Sequence, residues 1–322
     1  MTSSLDDLFA ELDAQLPGAV TRDVPLAGFT TYKLGGPVAV LVRVRAEADL
    51  AAVATVVAPR RPPLLFVGRG SNLLVADAGF PGLGVVLEGG LEELTVSPDG
   101  GADGLADDLV AAGGAVPLPV LARRSAAAGR TGLEFYVGIP GSVGGAVRMN
   151  AGGHGRETVE VLEHARVADL FGTGEVTTRA AAALGLGYRH SELGPAEVVV
   201  GAAFRTTADA AAACEARVAE IVKWRREHQP GGANAGSVFR NPPGDSAGAL
   251  IERSGLKDLR IGGAVVSTKH ANFIQAEPGA TANDVRALVR EVRRRVLEDS
   301  GIELQTELHF VGFSDDLDGD PT

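Results

Sequence analysis

Eight glycines crowd the 24 residues from Gly132 to Gly155. Each glycine gives up more backbone freedom on ordering than any other residue, so a folding chain resists that density. The run is nevertheless apolar, with Leu133, Phe135, Val137, Ile139, Val143 and Val147 set between the glycines. That content reads as a buried segment. The offsetting gain is close approach of main-chain N–H groups to a large phosphate-bearing ligand, which side chains would block. A plain loop is the competing reading, because glycine fills 43 of 322 positions. The apolar content speaks against it.

The rest of the composition narrows the class. At 45% hydrophobic and 22% charged residues, the chain has an ordinary globular balance and enough length for two or three domains. No stretch reaches the apolar length of a membrane span. The start, Met1-Thr-Ser-Ser-Leu-Asp-Asp, carries acids where a signal peptide is apolar. Cys214 is the single cysteine, which excludes an internal disulfide and any Cys-x-x-Cys site. It is expected on the buried face of a helix with Val218, Ile221 and Val222. Together these features predict a cytoplasmic protein with no membrane association.

A formal charge of −11 argues against general nucleic-acid binding. Its distribution is informative: from Arg217 to Lys269 nine Lys/Arg meet five Asp/Glu. A locally basic segment in an acidic chain suggests an anionic small ligand, although any one of these charges reads equally well as a solvated helix face.

Along the chain, residues 38–68 predict strand, helix and strand: Ala39–Val44, Glu47–Ala58 and Leu64–Val67. Gly68-Arg-Gly-Ser-Asn-Leu-Leu follows at once, and a glycine turn directly after a strand is where nucleotide phosphates dock. The dinucleotide fingerprint is absent, since Leu73 stands where its third glycine belongs, and no P-loop motif occurs. From Val85 to about Thr206 short apolar runs alternate with glycine-rich connections, and Val198-Val-Val suits a buried strand. Helical spacing takes over after Thr207, ending at Pro230-Gly-Gly. Further helices are predicted near Ala247–Ser254 and Asn283–Asp299, then a last strand over Leu304–Val311. The division expected is 1–84 and 85–206 as two subdomains, 207–302 as a third domain, and 314–322 as a disordered acidic tail. The strand 303–313 is expected to return to 85–206.

Three short segments could carry chemistry. In Asn234-Ala-Gly-Ser-Val-Phe-Arg-Asn-Pro, Gly236 opens the backbone beside Ser237, with Arg240 and Asn241 close by. Without a Gly-x-Ser-x-Gly elbow, Ser237 reads as a proton or hydrogen-bond donor or as a simple turn serine, not as a nucleophile. Arg189, in Gly187-Tyr-Arg-His-Ser, offers a fork of donors suited to a carboxylate, or forms a surface ion pair. Strand alternation puts Glu307 with Gln305 and His309, opposite Leu304, Thr306, Leu308 and Phe310. There it is either solvated or aimed into a cleft. The six histidines show no metal-ligand spacing, so no metal is expected.

Taken together these segments resemble the UDP-N-acetylenolpyruvoylglucosamine reductase (MurB) family. The matching pieces are Gly28-Phe-Thr-Thr-Tyr-Lys-Leu-Gly-Gly-Pro, Gly68-Arg-Gly-Ser-Asn-Leu-Leu, Gly138-Ile-Pro-Gly-Ser-Val-Gly-Gly-Ala and Met149-Asn-Ala-Gly. Tyr188-Arg-His-Ser, Ala235-Gly-Ser-Val-Phe-Arg-Asn-Pro, Ile261-Gly-Gly-Ala, Ser267-Thr-Lys-His-Ala-Asn-Phe and Glu307-Leu-His-Phe-Val-Gly follow in family order. They run from about residue 25 to 312. The chain is similar to the shorter branch, which lacks an extra substrate-covering tyrosine loop.

The resemblance implies an α+β flavoprotein of the vanillyl-alcohol-oxidase type, with two subdomains holding FAD without a covalent tether and an α/β domain covering substrate. Gly68, Arg69, Gly70, Ser71, Asn72 and Leu73 would meet the cofactor. So would Gly138, Ile139, Pro140, Gly141, Ser142, Gly144, Gly145 and Asn150. The implied catalytic trio is Arg189, Ser237 and Glu307. Arg225, Arg240, Asn241 and Lys269 would meet the carboxylate and diphosphate of the substrate. Arg240 stands where many relatives carry lysine, which keeps the charge but not the hydrogen-bond geometry. The implied reaction is ping-pong: NADPH, then UDP-N-acetylglucosamine enolpyruvate, use one cleft in a monomeric enzyme. Arg189 and a protonated Glu307 steady the enolate, and Ser237 delivers a proton to C2. A flavin-dependent alcohol oxidase of the same fold and a non-catalytic nucleotide-sugar sensor are the alternatives.

Overall fold

The computed structural model describes residues 4–96, 106 and 108–314. The chain forms two compact units. Met1–Arg22, Val40–Arg69 and Gly82–Arg225 make the first; Asp23–Ala39, Gly70–Pro81 and Arg226–Thr322 make the second.

The first unit is built on two sheets. One has the strand order Val20–Pro25, Pro37–Val44, Phe80–Leu87, Leu64–Phe66, the last two parallel with Leu64 opposite Leu83. The helices Leu5–Gln15 and Glu47–Val57 bury Leu8, Leu12, Leu50 and Val53 against Val40, Val42 and Val44. The other sheet is antiparallel, in the order Val176–Ala180, Leu162–Asp169, Glu197–Arg205, Leu109–Gly113, Leu94–Val96. Val198 and Val200 of its middle strand join the core of the first sheet, while Val199 joins the core beneath Leu118–Ala127. An all-valine run suits this place, because a strand buried on both faces needs apolar side chains at successive positions. The helix Ala211–His228 packs Cys214 and Val218 into that second core, with Ile221 and Val222 partly buried beside them.

The second unit packs the helices Ala247–Arg253 and Ala282–Ser300 on the three-stranded sheet Arg260–Ile261, Ala264–Val266, Ile274–Ala276. Val285, Leu288, Val289, Val292 and Val296 form the buried stripe of the long helix. Its start is fixed twice. Thr281 and Asp284 form a capping box, and Asp77 accepts hydrogen bonds from the Ala282 and Asn283 amides at 2.9 and 3.1 Å. Its end is fixed by Gly301 at φ 71°, a left-handed turn that glycine takes without steric penalty.

Two sequence expectations need correction. The last strand covers only His309–Val311, and it pairs in parallel with Leu73–Val75 of the second unit, not with the sheet of 85–206. Both triplets are short, and nothing local in either names its partner. The segment before it is held by other means, although the forecast alternation survives: Leu304, Thr306 and Leu308 are buried, whereas Gln305 is exposed. The expected tail beyond Ser314 lies outside the described residues.

Candidate functional site

In the first unit the glycine-rich run is folded and packed, as its apolar content implied. Leu133, Phe135, Val137, Val143 and Val147 are all buried. A 3-10 turn over Glu134–Gly138 leads to the short helix Val143–Arg148, then to a hairpin of Gly152–Gly153 with Arg156–Glu157. The hairpin turns on His154 and Gly155, both at positive φ (54° and 76°), the pattern of a type I′ turn.

The glycines divide into two kinds. Gly144 is required by packing: its N–H donates to the Gly114 carbonyl at 2.8 Å, and a Cβ there would lie 2.9 Å from the Val199 carbonyl oxygen. Gly68 and Gly145 are different. A Cβ on Gly68 would strike Ser142 Oγ at 2.6 Å, so the turn after the strand Leu64–Phe66 abuts the middle of the glycine run. Gly145 is exposed, and its nearest neighbour would be Ser142 Oγ at 3.7 Å. Bare main chain at Gly68 and Gly145, together with buried Ser142, forms a surface that a flat or phosphate-bearing group can approach closely. That surface fits a bound dinucleotide. Gly138, Ile139 and Gly141 are half-buried beside it, and Pro140 and Arg69 are exposed. Arg225 packs its Cδ 3.3 Å from the position of a Gly138 Cβ, and burial lowers its pKa. Burial and then the nearby Arg225 charge lower the pKa of His154, whose ring meets Trp224 edge-on at 5.0 Å.

Arg189 also belongs to this unit. Gly187 and His190 exchange main-chain hydrogen bonds at 3.1 Å, which makes Tyr188 and Arg189 the corners of a tight turn. Arg189 takes φ 53°, a conformation unfavourable for a side chain bearing Cβ. Its guanidinium lies 4.8 Å from the Tyr188 ring centre, 3.4 Å from a Glu157 oxygen and 3.4 Å from the Gly152 carbonyl. Asn150 was expected to meet the cofactor. Its side chain is fully buried, with Nδ2 donating to Glu157 and to the Gly187 carbonyl and Oδ1 accepting from the Val159 amide.

In the second unit, Gly70 stands at φ 56°, and a Cβ there would lie 2.1 Å from the Phe29 carbonyl oxygen. Ser71 and Asn72 are half-buried, and Leu73 opens the strand that pairs with His309–Val311. Asn72 Nδ2 donates to the Glu307 carbonyl at 2.9 Å, and the Asn72 carbonyl accepts from the His309 amide at 3.0 Å. On its other side Glu307 donates its amide to the Val238 carbonyl at 2.8 Å, and Phe239 bridges to Thr306. Ser237 and Glu307 thus lie on directly paired segments. Gly236 before Ser237 has φ 75° and open space where a Cβ would be.

Of the remaining residues, Arg240 donates its amide to the Gln305 carbonyl, and its buried Nε has no hydrogen-bond partner among the described residues. Asn241 is exposed, with Oδ1 accepting from the Ala247 amide at a helix start. Lys269 reaches the Arg226 carbonyl.

Sequence reasoning missed the residues that hold this arrangement. Asn272, almost fully buried, clamps both main-chain groups of Phe239 and accepts nothing from a ligand to do so. Tyr32, fully buried, donates to the Ile274 carbonyl at 3.0 Å. Both lie inside motifs already singled out, yet their partners are distant in sequence. Among the described residues no group of three His, Cys, Asp or Glu could hold a metal ion, and no helix is long and apolar enough to cross a membrane.

Comparison with known proteins agrees with this geometry. The sequence model of the FAD binding domain family matches residues 38–179, and that of the UDP-N-acetylenolpyruvoylglucosamine reductase C-terminal domain matches residues 228–311. The UDP-N-acetylenolpyruvoylglucosamine reductase of Acidiphilium cryptum is 42% identical over 95% of this chain and 96% of its own. That of Paramagnetospirillum magneticum is 39% identical over 98% and 99%. The crystal structure of the reductase from Thermus caldophilus superposes with a TM-score of 0.76 at 36% identity, covering 91% of this chain and 98% of that one.

Proposed function

The chain belongs to the UDP-N-acetylenolpyruvoylglucosamine reductase family, and from that membership we propose that it performs the family reaction, NADPH-dependent reduction of UDP-N-acetylglucosamine enolpyruvate to UDP-N-acetylmuramate for peptidoglycan synthesis. FAD, when bound without a covalent tether, would supply the chemistry of hydride transfer between NADPH and the enolpyruvyl group. The main chain at Gly68, Gly70, Gly138, Gly141 and Gly145, with Ser142, would hold that cofactor.

Three side chains act on the substrate. Hydride addition at C3 leaves negative charge shared between C2 and the carboxylate. Arg189 and Glu307, fixed before the charge develops, stabilise it without reorganising. Ser237 then delivers a proton to C2. Arg225, Arg240, Asn241 and Lys269 meet the substrate carboxylate and diphosphate, and the orphaned Arg240 Nε has one donor still to place. The boundary expected at 207 moves to 226, because the helix Ala211–His228 packs Cys214 and Val218 into the first unit; residues 226–302 are assigned to the substrate and the first unit to the flavin. The protein works as a cytoplasmic monomer.

The observation that carries this reading is the direct pairing of the Ser237 and Glu307 segments, with Asn72 fixing the latter. The two segments assigned the proton donor and the enolate-stabilising acid are thereby joined main chain to main chain within one unit. The test is NADPH oxidation by the purified yellow protein with and without the enolpyruvyl UDP-sugar. We expect oxidation that depends on the sugar nucleotide. Binding of the sugar without oxidation would identify a sensor, and oxidation of a simple alcohol would identify an oxidase; either result refutes the proposal.

A further inference from the structure

Arg189 does not stand alone in its unit, and the groups behind it form a chain of contacts with a direction. Glu157 lies opposite Gly152 in the hairpin register, and one of its carboxylate oxygens faces the Arg189 guanidinium at 3.4 Å. The other accepts from Asn150 Nδ2 at 2.9 Å. Asn150 donates its second amide hydrogen to the Gly187 carbonyl, two residues before Arg189, and takes the Val159 amide, two residues after Glu157. One buried amide therefore ties the turn that carries Arg189 to the strand that carries Glu157. Asn150 itself has φ 40°, a strained setting that asparagine tolerates better than most residues.

With 16% and 32% of the two side chains exposed, and 3.4 Å between them, Arg189 and Glu157 form a part-buried, loosely spaced ion pair. The same separation exceeds a strong hydrogen bond, so the carboxylate sets the direction of the guanidinium through a loose contact. Gly152 completes the arrangement. A Cβ there would come 2.9 Å from Glu157 Cγ and 3.2 Å from Arg189 Nη1, so both side chains lie over a bare α-carbon.

We infer that Glu157, anchored by Asn150, is a positioning residue that orients Arg189 toward the substrate carboxylate in the second half-reaction. This rests on the role given to Arg189 above. Glu157 touches no reacting atom, and its effect passes entirely through the guanidinium.

The test uses FAD-loaded protein and rapid mixing, with flavin reduction by NADPH and its reoxidation by the enolpyruvyl UDP-sugar recorded separately. Misplacing a catalytic group by about 1 Å costs roughly 10²-fold, so Glu157→Ala is expected to slow reoxidation by about 30- to 100-fold. Reduction by NADPH stays within about 2-fold of the parent, because the effect is confined to one half-reaction. Glu157→Gln keeps the acceptor for Asn150 and loses only about 3- to 10-fold. In an Arg189→Ala background both changes add less than about 2-fold, because residues that act as a unit are not additive. Should Glu157→Ala fail to fold, the Gln variant in the two backgrounds decides alone. Equal slowing of both half-reactions, or the same loss with and without Arg189, overturns the inference while leaving the reaction assignment intact. Unimpaired reoxidation in Arg189→Ala alone overturns the parent reading instead.

Discussion

Single residues carry the chemistry here, and their environments make distinct demands. If Glu307 acts as a neutral hydrogen-bond donor to the enolate, Glu307→Gln retains a donor at that position while Glu307→Ala removes it. The glutamine variant should then lose roughly 10-fold in the second half-reaction and the alanine variant about 10²- to 10³-fold, the range for deleting an oxyanion donor. Equal losses would indicate that the carboxylate works as an anion. Gly70 makes a different demand, because it combines φ 56° with a carbonyl oxygen 2.1 Å from any added Cβ. Gly70→Ala should destabilise the protein by about 2 kcal/mol or more and reduce flavin content on purification. Urea unfolding and the 450 nm absorbance ratio would register both effects.

At the scale of elements, the candidate site is held by caps and clamps whose strength can be measured. Removing the Thr281 hydroxyl from the long helix of the second unit should cost about 1 kcal/mol, with the Asp77 cap limiting the damage. In the first unit the helix Ala211–His228 is tied to the start of the glycine run by Arg217, which reaches Glu134 at 2.9 Å. Burial raises the Glu134 pKa, but hydrogen bonds from Thr131, Gly132 and Arg217 outweigh it, leaving a net lowering. A lowered folded-state pKa means stability that is present above the usual carboxylate range and lost as pH falls through the lowered value. The stability gap between the parent and Glu134→Gln should therefore be full at pH 7 and close on acidification below about 4.3. A gap that widens toward acid would contradict the sign.

Much of this was legible from local pattern. The helix over Ala282–Ser300 was visible in its valine and leucine spacing and in Gly301, and the burial of the glycine run in its six apolar residues. The helices Leu5–Gln15, Leu118–Ala127 and Val143–Arg148 were not foreseen. The first is acidic and short; the second carries Pro119 in its opening turn; the third contains Gly144 and Gly145, poor helix formers held by tertiary contacts. The resemblance supplied the residues of the trio but not what positions them. Asn272, Asn150 and Glu157 act through partners that no periodicity reveals.

For the whole molecule, FAD counts as part of the folded state. A ligand that binds only the native protein stabilises it by about 2.7 kcal/mol at 100 times its dissociation constant. Flavin-stripped protein should accordingly melt several degrees lower and recover on addition of FAD, but not of riboflavin, if the glycine turns grip the pyrophosphate. The most direct measurement is rapid mixing of Ser237→Ala loaded with FAD. NADPH should bleach the flavin at nearly the parent rate, while reoxidation by UDP-N-acetylglucosamine enolpyruvate falls by about 10² to 10⁴-fold, the span expected when a general acid is lost. Reoxidation at the parent rate, or an equal fall in both half-reactions, would contradict the assignment of Ser237 as the proton donor.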